Sequence, residues 1–309
     1  MATHLTGEEI SVAVATCGRP ASLARCLAAL AAGTMLPRET IVVDQAPSAE
    51  SRRVVEQCWI EGTRYLEQSR LGTSAARNLA LATASGAVLA ITDDDCAPGA
   101  GWLATLAAAL ERHPTPAAVT GAVLPLGARP PGLHAISLRM DTRAVDYHGR
   151  MRPWIAGSGG NFAASSDLLR RHHGWDERLG PGSPGQSFED AELLYRILRE
   201  GGVVRYEPAA VVRHEWQTWA TRLATRSSYG HGIGAMCGLW LRRGDVFALR
   251  LFAGYARAEL HAIVGAARRA KRVTALEHSR MLTAMLPGLR YGLSCKGPCP
   301  RPRFRQQAT

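Results

Sequence analysis

No stretch of the chain reaches the roughly 18–20 consecutive apolar residues that a membrane-crossing helix needs. The longest candidate, Gly232 to Leu241, is stopped by Arg242 and Arg243. The N-terminal MATHLTGEEI has neither a basic nor an apolar region, so no signal peptide is expected. The seven cysteines are odd in number, and the first five are widely scattered, which argues against a disulfide framework. Cys295 and Cys299 bracket a Lys-Gly-Pro spacer, but no second Cys/His pair lies nearby to complete a zinc site. A reducing, cytoplasmic compartment is expected. Internal repeats and long low-complexity segments are absent. So are helix-turn-helix, zinc and aromatic RNA-binding motifs, and nucleic acid is not an expected partner.

What is present is a chain of 309 residues, 46 % hydrophobic and 20 % charged, enough for one large α/β domain with or without an appendage. The net charge of +11 is unevenly placed. From Arg222 to Thr309 there are 16 basic residues against three acids (Asp245, Glu259 and Glu277), whereas residues 1–221 hold 21 basic and 23 acidic residues. The spacing therefore predicts a near-neutral domain over 1–221 and a basic, mainly helical C-terminal extension over 222–309. Such an extension seeks an anionic surface, or its arginines are simply solvated while its apolar residues pack on the core.

Apolar, β-branched runs at Ile10–Ala15, Thr40–Val43 and Ala87–Thr92 read as buried strands. Helical patterns fall between them, the first with Ser22 as its expected cap, and others at 52–59 and Thr73–Ala84. A weaker strand is read at 63–67, a helix at 98–110 and a strand at 119–124. This alternation predicts a doubly wound α/β sheet with ligands at the carboxyl ends of its strands. Residues 129–152 read as a loop or flap, and 158–163 as the lead-in to a helix at 167–172. Phe188 opens a helix to about Glu200, followed by short strands at 203–206 and 211–214. Beyond Thr218 the period is helical, with turns expected near Gly244, Pro287 and Gly297.

Two of the buried strands end in acids. Asp93-Asp94-Asp95 follows the third strand, and three adjacent carboxylates repel one another unless a cation relieves them. Mg²⁺ or Mn²⁺ prefers such oxygens together with phosphate; taken alone, the run is equally a solvated acidic loop. Asp44 ends the second strand, where a carboxylate accepts hydrogen bonds from a ribose or base, or serves a turn. Glu189-Asp190 begins a helix after the Gly/Pro/Ser-rich stretch 180–187, in reach of the helix dipole, suiting a general base or plain N-terminal charge pairing. His214 could complete an Asp-Asp-His metal site, and Arg77 could bind phosphate, or both are ordinary packed or solvated residues.

In this order, VAVATCGRPASLARCLAAL, TIVVDQAPS, GTSAARNLALATASGAVLAITDDDCAPGAGWL, GSGGNFAASSDLLRRHHGWDERLG and FEDAELLYRILREG resemble the family 2 glycosyltransferases of the GT-A fold, over about residues 10–215. The resemblance implies a GT-A type sheet, mixed but mostly parallel, flanked by helices. It also implies a metal-dependent, inverting transfer of a sugar from a nucleotide-diphosphate sugar to a hydroxyl acceptor, in polysaccharide, glycolipid or natural-product glycosylation. Asp190, with Glu189 beside it, would be the general base. Thr16, Arg19 and Asp44 would line the nucleoside pocket, with Arg77, Asp93, Gly159, Gly160 and Asn161 on the donor. Asp93 and Asp95 would form the DXD pair, with His214 a further metal contact. Gln45 stands where many members have Asp or Asn, and Gly18 where many have Asn. The rival readings are a nucleotidyltransferase, which the turn TCGRPAS fits poorly, and a non-catalytic binder using the basic extension. Peripheral attachment to the inner face of an anionic membrane would suit a lipid-linked acceptor.

Overall fold

The computed structural model describes residues 4–112 and 117–297; Cys299 lies outside them. β1 (Ile10–Thr16) and β2 (Glu39–Asp44) are buried almost throughout. Helices cover both faces of the sheet, which is why ISVAVA and TIVV show no alternation. α1 (Pro20–Ala31) joins these strands, α2 (Ala49–Glu56) leads to β3 (Arg64–Glu67), and α3 (Thr73–Thr83) to β4 (Val88–Asp93). The four strands are parallel in the order β3-β2-β1-β4. Pro20 opens α1, where a missing N–H costs nothing. The cap position is Arg19, and the expected cap, Ser22, lies buried inside the helix.

The rest of the sheet departs from simple winding. β5 (Cys96–Pro98), α4 (Trp102–Glu111), β6 (Ala117–Pro125), β7 (Leu133–His134) and β8 (Val145–Tyr147) precede β9 (Asn161–Ser165). Then come α5 (Ser166–Arg171), α6 (Glu189–Arg199), β10 (Val203–His214) and β11 (Gln217–Thr218). β9 runs antiparallel between β4 and β6, and the nine-stranded sheet continues through β10 to β5, with β8 also on β10. Only β5, β8 and β9 run against the other six strands, so the sheet is mixed and mostly parallel. Residues 98–110 are thus a strand end and then a helix. The two short strands expected at 203–206 and 211–214 are one strand with a register shift between Glu207 and Val211, at Pro208, which has no N–H for the ladder.

Among the described residues the C-terminal segment is three long helices, α7 (Trp219–Arg242), α8 (Phe247–Arg268) and α9 (Arg272–Ser294). A turn does fall at Gly244, but the second is at Ala270, in a left-handed conformation, and Pro287 lies inside α9. Packing overrides the proline there. Gly230, Gly234 and Gly238 line one face of α7, Gly230 against the Met281 backbone of α9 and the other two against its Gly288 and Gly292. A Cβ on Gly234 would sit 2.1 Å from the Met285 carbonyl oxygen, and one on Gly288 1.9 Å from that of His231. Small residues at every fourth position let two helix backbones approach this closely. Phe188 and Tyr195 share an apolar core with Ile233, Trp240, Leu251 and Met285, so the extension packs on α6.

Candidate functional site

Strand register assembles the site. Thr16 pairs with Asp44 and Ala15 with Asp93, which sets the carboxyl ends of β1, β2 and β4 side by side. In open α/β sheets this edge is where ligands bind. His214, the last residue of β10, pairs with Cys96, and Asn161 on β9 pairs with Thr92.

Two arginines balance the crowded acids. Arg19 donates from Nε to Asp94 Oδ2 at 3.1 Å, through Nη2 to Asp94 Oδ1, and from Nη1 to Asp95 Oδ2 at 2.7 Å. Thr16 Oγ1 donates to Asp94 Oδ2 at 2.7 Å. Burial pushes the Asp94 carboxyl up to about 7 against the pull of Arg19. Thr16 and Arg19, expected in the nucleoside pocket with Asp44, are thus gathered on the triple-acid turn. Arg77 is buried and bridges two segments, with Nη2 3.0 Å from Asp93 Oδ1 and Nη1 2.9 Å from Glu189 Oε1. It is an internal tie between β4 and α6, with both ends of its guanidinium committed.

Gly159 and Gly160 run across this tie. A Cβ on Gly159 would lie 2.7 Å from Arg77 Nη1, and one on Gly160 2.6 Å from Asp93 Oδ2. Only glycine lets the backbone approach so closely. The Gly159 N–H donates to Asp190 Oδ2 at 2.7 Å, so Asp190, Glu189, Arg77 and Asp93 form one connected group. Phe188 caps α6 from just outside its first turn, with a left-handed φ of 68°. Such strain in a non-glycine residue persists only where surrounding packing enforces it. Burial, then the neighbouring Asp190 charge, raises Glu189 to about 7, with Arg77 opposing. Asp190 is only partly buried, so the helix presents one acid inward and one that solvent reaches.

His214 Nδ1 lies 2.8 Å from the Glu215 carbonyl oxygen, which can only accept, so Nδ1 carries the proton. Its Nε2 then faces Asp95 Oδ1 at 3.5 Å. A lone pair beside a carboxylate oxygen suits a cation shared by the two. Asp95, Cys96 and His214 have ligand atoms within 4.8 Å of one another. Burial holds the Cys96 thiol well above its usual range, leaving Asp95 and His214 as the ready donors. These two fit a hard or borderline divalent cation. Asp93, expected in the same metal set, is outside this compact group and is held by Arg77.

Asp44 is fully buried, accepting from the Ala46 N–H at 2.9 Å and from Tyr65 Oη at 2.8 Å. Burial and Asp44 together push the Tyr65 phenol up to about 12. Tyr65 was missed from sequence, since only the β2–β3 register brings it there. The Asn161 amide is spent inside the fold, on the carbonyls of Ala122 and Ala210 and on Trp102 Nε1–H. Gly18 has a φ of 63°, a conformation asparagine also tolerates, which accounts for the exchange of those residue types. Gln45 Oε1 accepts from the Gly72 N–H at 2.8 Å and ties β2 to the start of α3.

The family model "Glycosyl transferase family 2" matches residues 11–171. A pre-mycofactocin glycosyltransferase of Mycobacterium tuberculosis is 29 % identical over 176 residues, 53 % of this chain and 34 % of that protein. The chain thus spans about a third of the length of the curated relatives it matches. Among solved structures, the mannosyltransferase PcManGT from Pyrobaculum calidifontis, in complex with GDP-Man and Mn²⁺, aligns with a TM-score of 0.61 at 19 % identity. That alignment covers 91 % of this chain and 87 % of the other. S. aureus TarS 1–349 in complex with UDP-GlcNAc aligns with a TM-score of 0.55 at 14 % identity, covering 91 % and 92 %. At these identities the likeness is one of fold, the GT-A arrangement.

Proposed function

The chain belongs to glycosyl transferase family 2, and from that premise we propose that it transfers a sugar from a nucleotide-diphosphate sugar to a hydroxyl acceptor, with inversion and with a divalent cation. The observation that carries this reading is the connected group at the strand ends. Asp190 is held by the Gly159 N–H, and Arg77 links Glu189 to Asp93.

Asp190 is the general base: its carboxylate takes the acceptor's hydroxyl proton as that oxygen attacks the anomeric carbon. One C–O bond forms as the bond to the diphosphate oxygen breaks, and the nucleoside diphosphate leaves with that electron pair. Arg77 and the Gly159 N–H fix the α6 acid pair relative to β4, so that base and donor share one frame. Asp95 and His214 would hold Mg²⁺ or Mn²⁺, with Asp93 at the donor side. Such a cation, when bound, neutralises charge on the diphosphate. Asp44 and Thr16 would lie beneath the nucleoside. Residues 1–221 would carry the transfer chemistry and 222–309 would form an attached basic extension.

The relative acts in pre-mycofactocin glycosylation by its name, the mannosyltransferase was solved with GDP-Man, and TarS with UDP-GlcNAc. These support a nucleotide-sugar donor without choosing among sugars. Calorimetric titration with GDP, UDP and their sugars, in Mn²⁺ and then in EDTA, tests the reading. Metal-dependent binding of one nucleotide is expected, and absence of binding by every nucleotide in both conditions would overturn it.

No helix among the described residues is long and apolar enough to cross a membrane. Exposed Leu249, Leu260 and Val264 share one face of α8, flanked by Arg250, Arg257 and Arg268. This stripe favours peripheral attachment of the extension to an anionic surface.

A further inference from the structure

A cavity of about 280 Å³ lies where the helical extension meets the flap, apart from the strand-end acids. Arg152 ends the flap, Trp154 lies in the single helical turn Pro153–Ile155 that follows it, Arg226 comes from α7, Gly254 and Tyr255 from α8, and His278 from α9. Its walls touch the catalytic helix. Trp154 and Tyr255 meet edge to face with centroids 5.2 Å apart, and each packs on Phe188, at 6.0 and 6.1 Å. Phe188 immediately precedes Glu189 and Asp190. Tyr229, one turn beyond Arg226 on α7, is hydrogen-bonded to Ser137, and burial holds its phenol above the usual range against that bond, with the Asp190 and Glu189 charges adding to the rise.

The charge in the cavity is unbalanced. Its single carboxylate, Glu259, is taken by His278 Nδ1 at 2.7 Å. Among the described residues Arg152 makes no ion pair, and Arg226 Nη1 donates to Met281 Sδ at 3.9 Å, while the Glu277 carboxylate that feels the Arg226 charge is itself bound by Arg222. Two guanidiniums with donors to spare, Arg152 exposed and Arg226 half-buried, line the same cavity as the Trp154 and Tyr255 rings and favour a ring-bearing molecule with an oxyanion. Gly254 leaves floor space: a Cβ there would meet nothing within 4 Å.

We propose that this cavity is the acceptor's anchoring subsite and takes a carboxylate or phosphate group on a ring-bearing acceptor, with Arg152 and Arg226 on the oxyanion and Trp154 and Tyr255 on the ring. The proposal rests on the glycosyltransferase reading, since it assigns the acceptor's class to the site served by Asp190. The oxyanion could belong to a soluble acid or to a lipid phosphate.

Phenyl phosphate is the probe, titrated into the full chain by calorimetry, with phenyl glucoside as the neutral ring and a nucleoside diphosphate with Mn²⁺ in a parallel titration. Saturable binding of phenyl phosphate, at least tenfold tighter than phenyl glucoside, is expected. Arg152→Gln/Arg226→Gln should weaken it at least tenfold. Gly254→Leu, whose Cβ would meet nothing within 4 Å and whose side chain would occupy the floor, should abolish it and guards against misfolding of the double variant. Displacement of the probe by dihexanoyl phosphatidylglycerol would assign the oxyanion to a lipid, and failure to displace it to a soluble acid; both keep the site. Binding that is unchanged in both variants overturns the proposal. If the nucleotide binds and phenyl phosphate does not, the cavity assignment alone falls; if neither binds, the transferase reading falls with it.

Discussion

Asp190 and Glu189 are adjacent in sequence and opposite in circumstance. Asp190 is half-buried in the first turn of α6 and receives the Gly159 N–H, while Glu189 is buried against Arg77. Replacing Asp190 by Asn keeps size and removes the proposed base, so transfer should fall by about 10²–10⁴-fold while nucleotide affinity stays within about twofold. Parallel loss of both would take the base role from Asp190. Glu189 makes a different prediction. Its carboxyl rises from 4.5 to about 7 in the folded chain, through burial and the Asp190 charge. Between those values the folded chain keeps a proton that the unfolded chain has released, so stability declines as pH rises through this window. Glu189→Gln should flatten that decline, and melting temperatures of both proteins from pH 4.5 to 7.5 read it directly. Parallel curves would show that Glu189 does not titrate there.

At the scale of elements, glycine decides how the C-terminal helices meet. Gly234 and Gly288 allow contact that a methyl group would block, since its carbon would fall within about 2 Å of a carbonyl oxygen on the opposite helix. Gly234→Ala should therefore cost about 1–3 kcal/mol by overpacking. Gly254→Ala, on a helix with open space around it, should instead be neutral or add about 0.4–1 kcal/mol by lowering unfolded-state entropy. Urea denaturation of both variants checks the contrast, and equal costs would deny the close crossing. The same contrast separates what could be read in the chain from what could not. Asp44 and Asp93 were legible because each ends a continuous apolar run, and in a parallel sheet covered on both faces that pattern marks a strand and its ligand-binding end. β9 was not: Asn161–Ser165 is five residues of mostly small side chains, and its place between β4 and β6 depends on pairings with segments about 70 and 45 positions away. Arg77 was picked out as a phosphate ligand because nothing local announces Glu189, 112 residues distant, as its partner. The α7 glycines carried a signal, spacing by four, that calls for a facing helix and was passed over as simple helical periodicity.

Across the whole molecule, charge and shape converge on the extension. Residues 222–309 hold 16 of the 37 basic residues and only three of the 26 acids. Glu259 and Glu277 are buried with His278 and Arg222, and Asp245 is buried with Arg150, Arg199 and Tyr195, so the outer surface of α8 and α9 is left cationic. Leu249 and Leu260, 54 % and 52 % exposed, are eleven residues apart, three turns of helix, and so sit on one side of α8. An apolar ridge with arginines along its flank enters the interface of an anionic bilayer, where each basic residue near the surface contributes about 1 kcal/mol. A ridge serving only as a contact between proteins would not distinguish lipid charge. Flotation with vesicles of phosphatidylcholine alone and with one-third phosphatidylglycerol separates the two. The chain should bind the anionic vesicles, and affinity should fall with salt as screening shortens the reach of the arginines. Leu249→Glu/Leu260→Glu should release it at constant ionic strength without lowering the melting temperature, since both side chains already face solvent. Binding that ignores lipid charge, or that survives in the double variant, would leave the ridge to a protein partner and the basic residues to solvent.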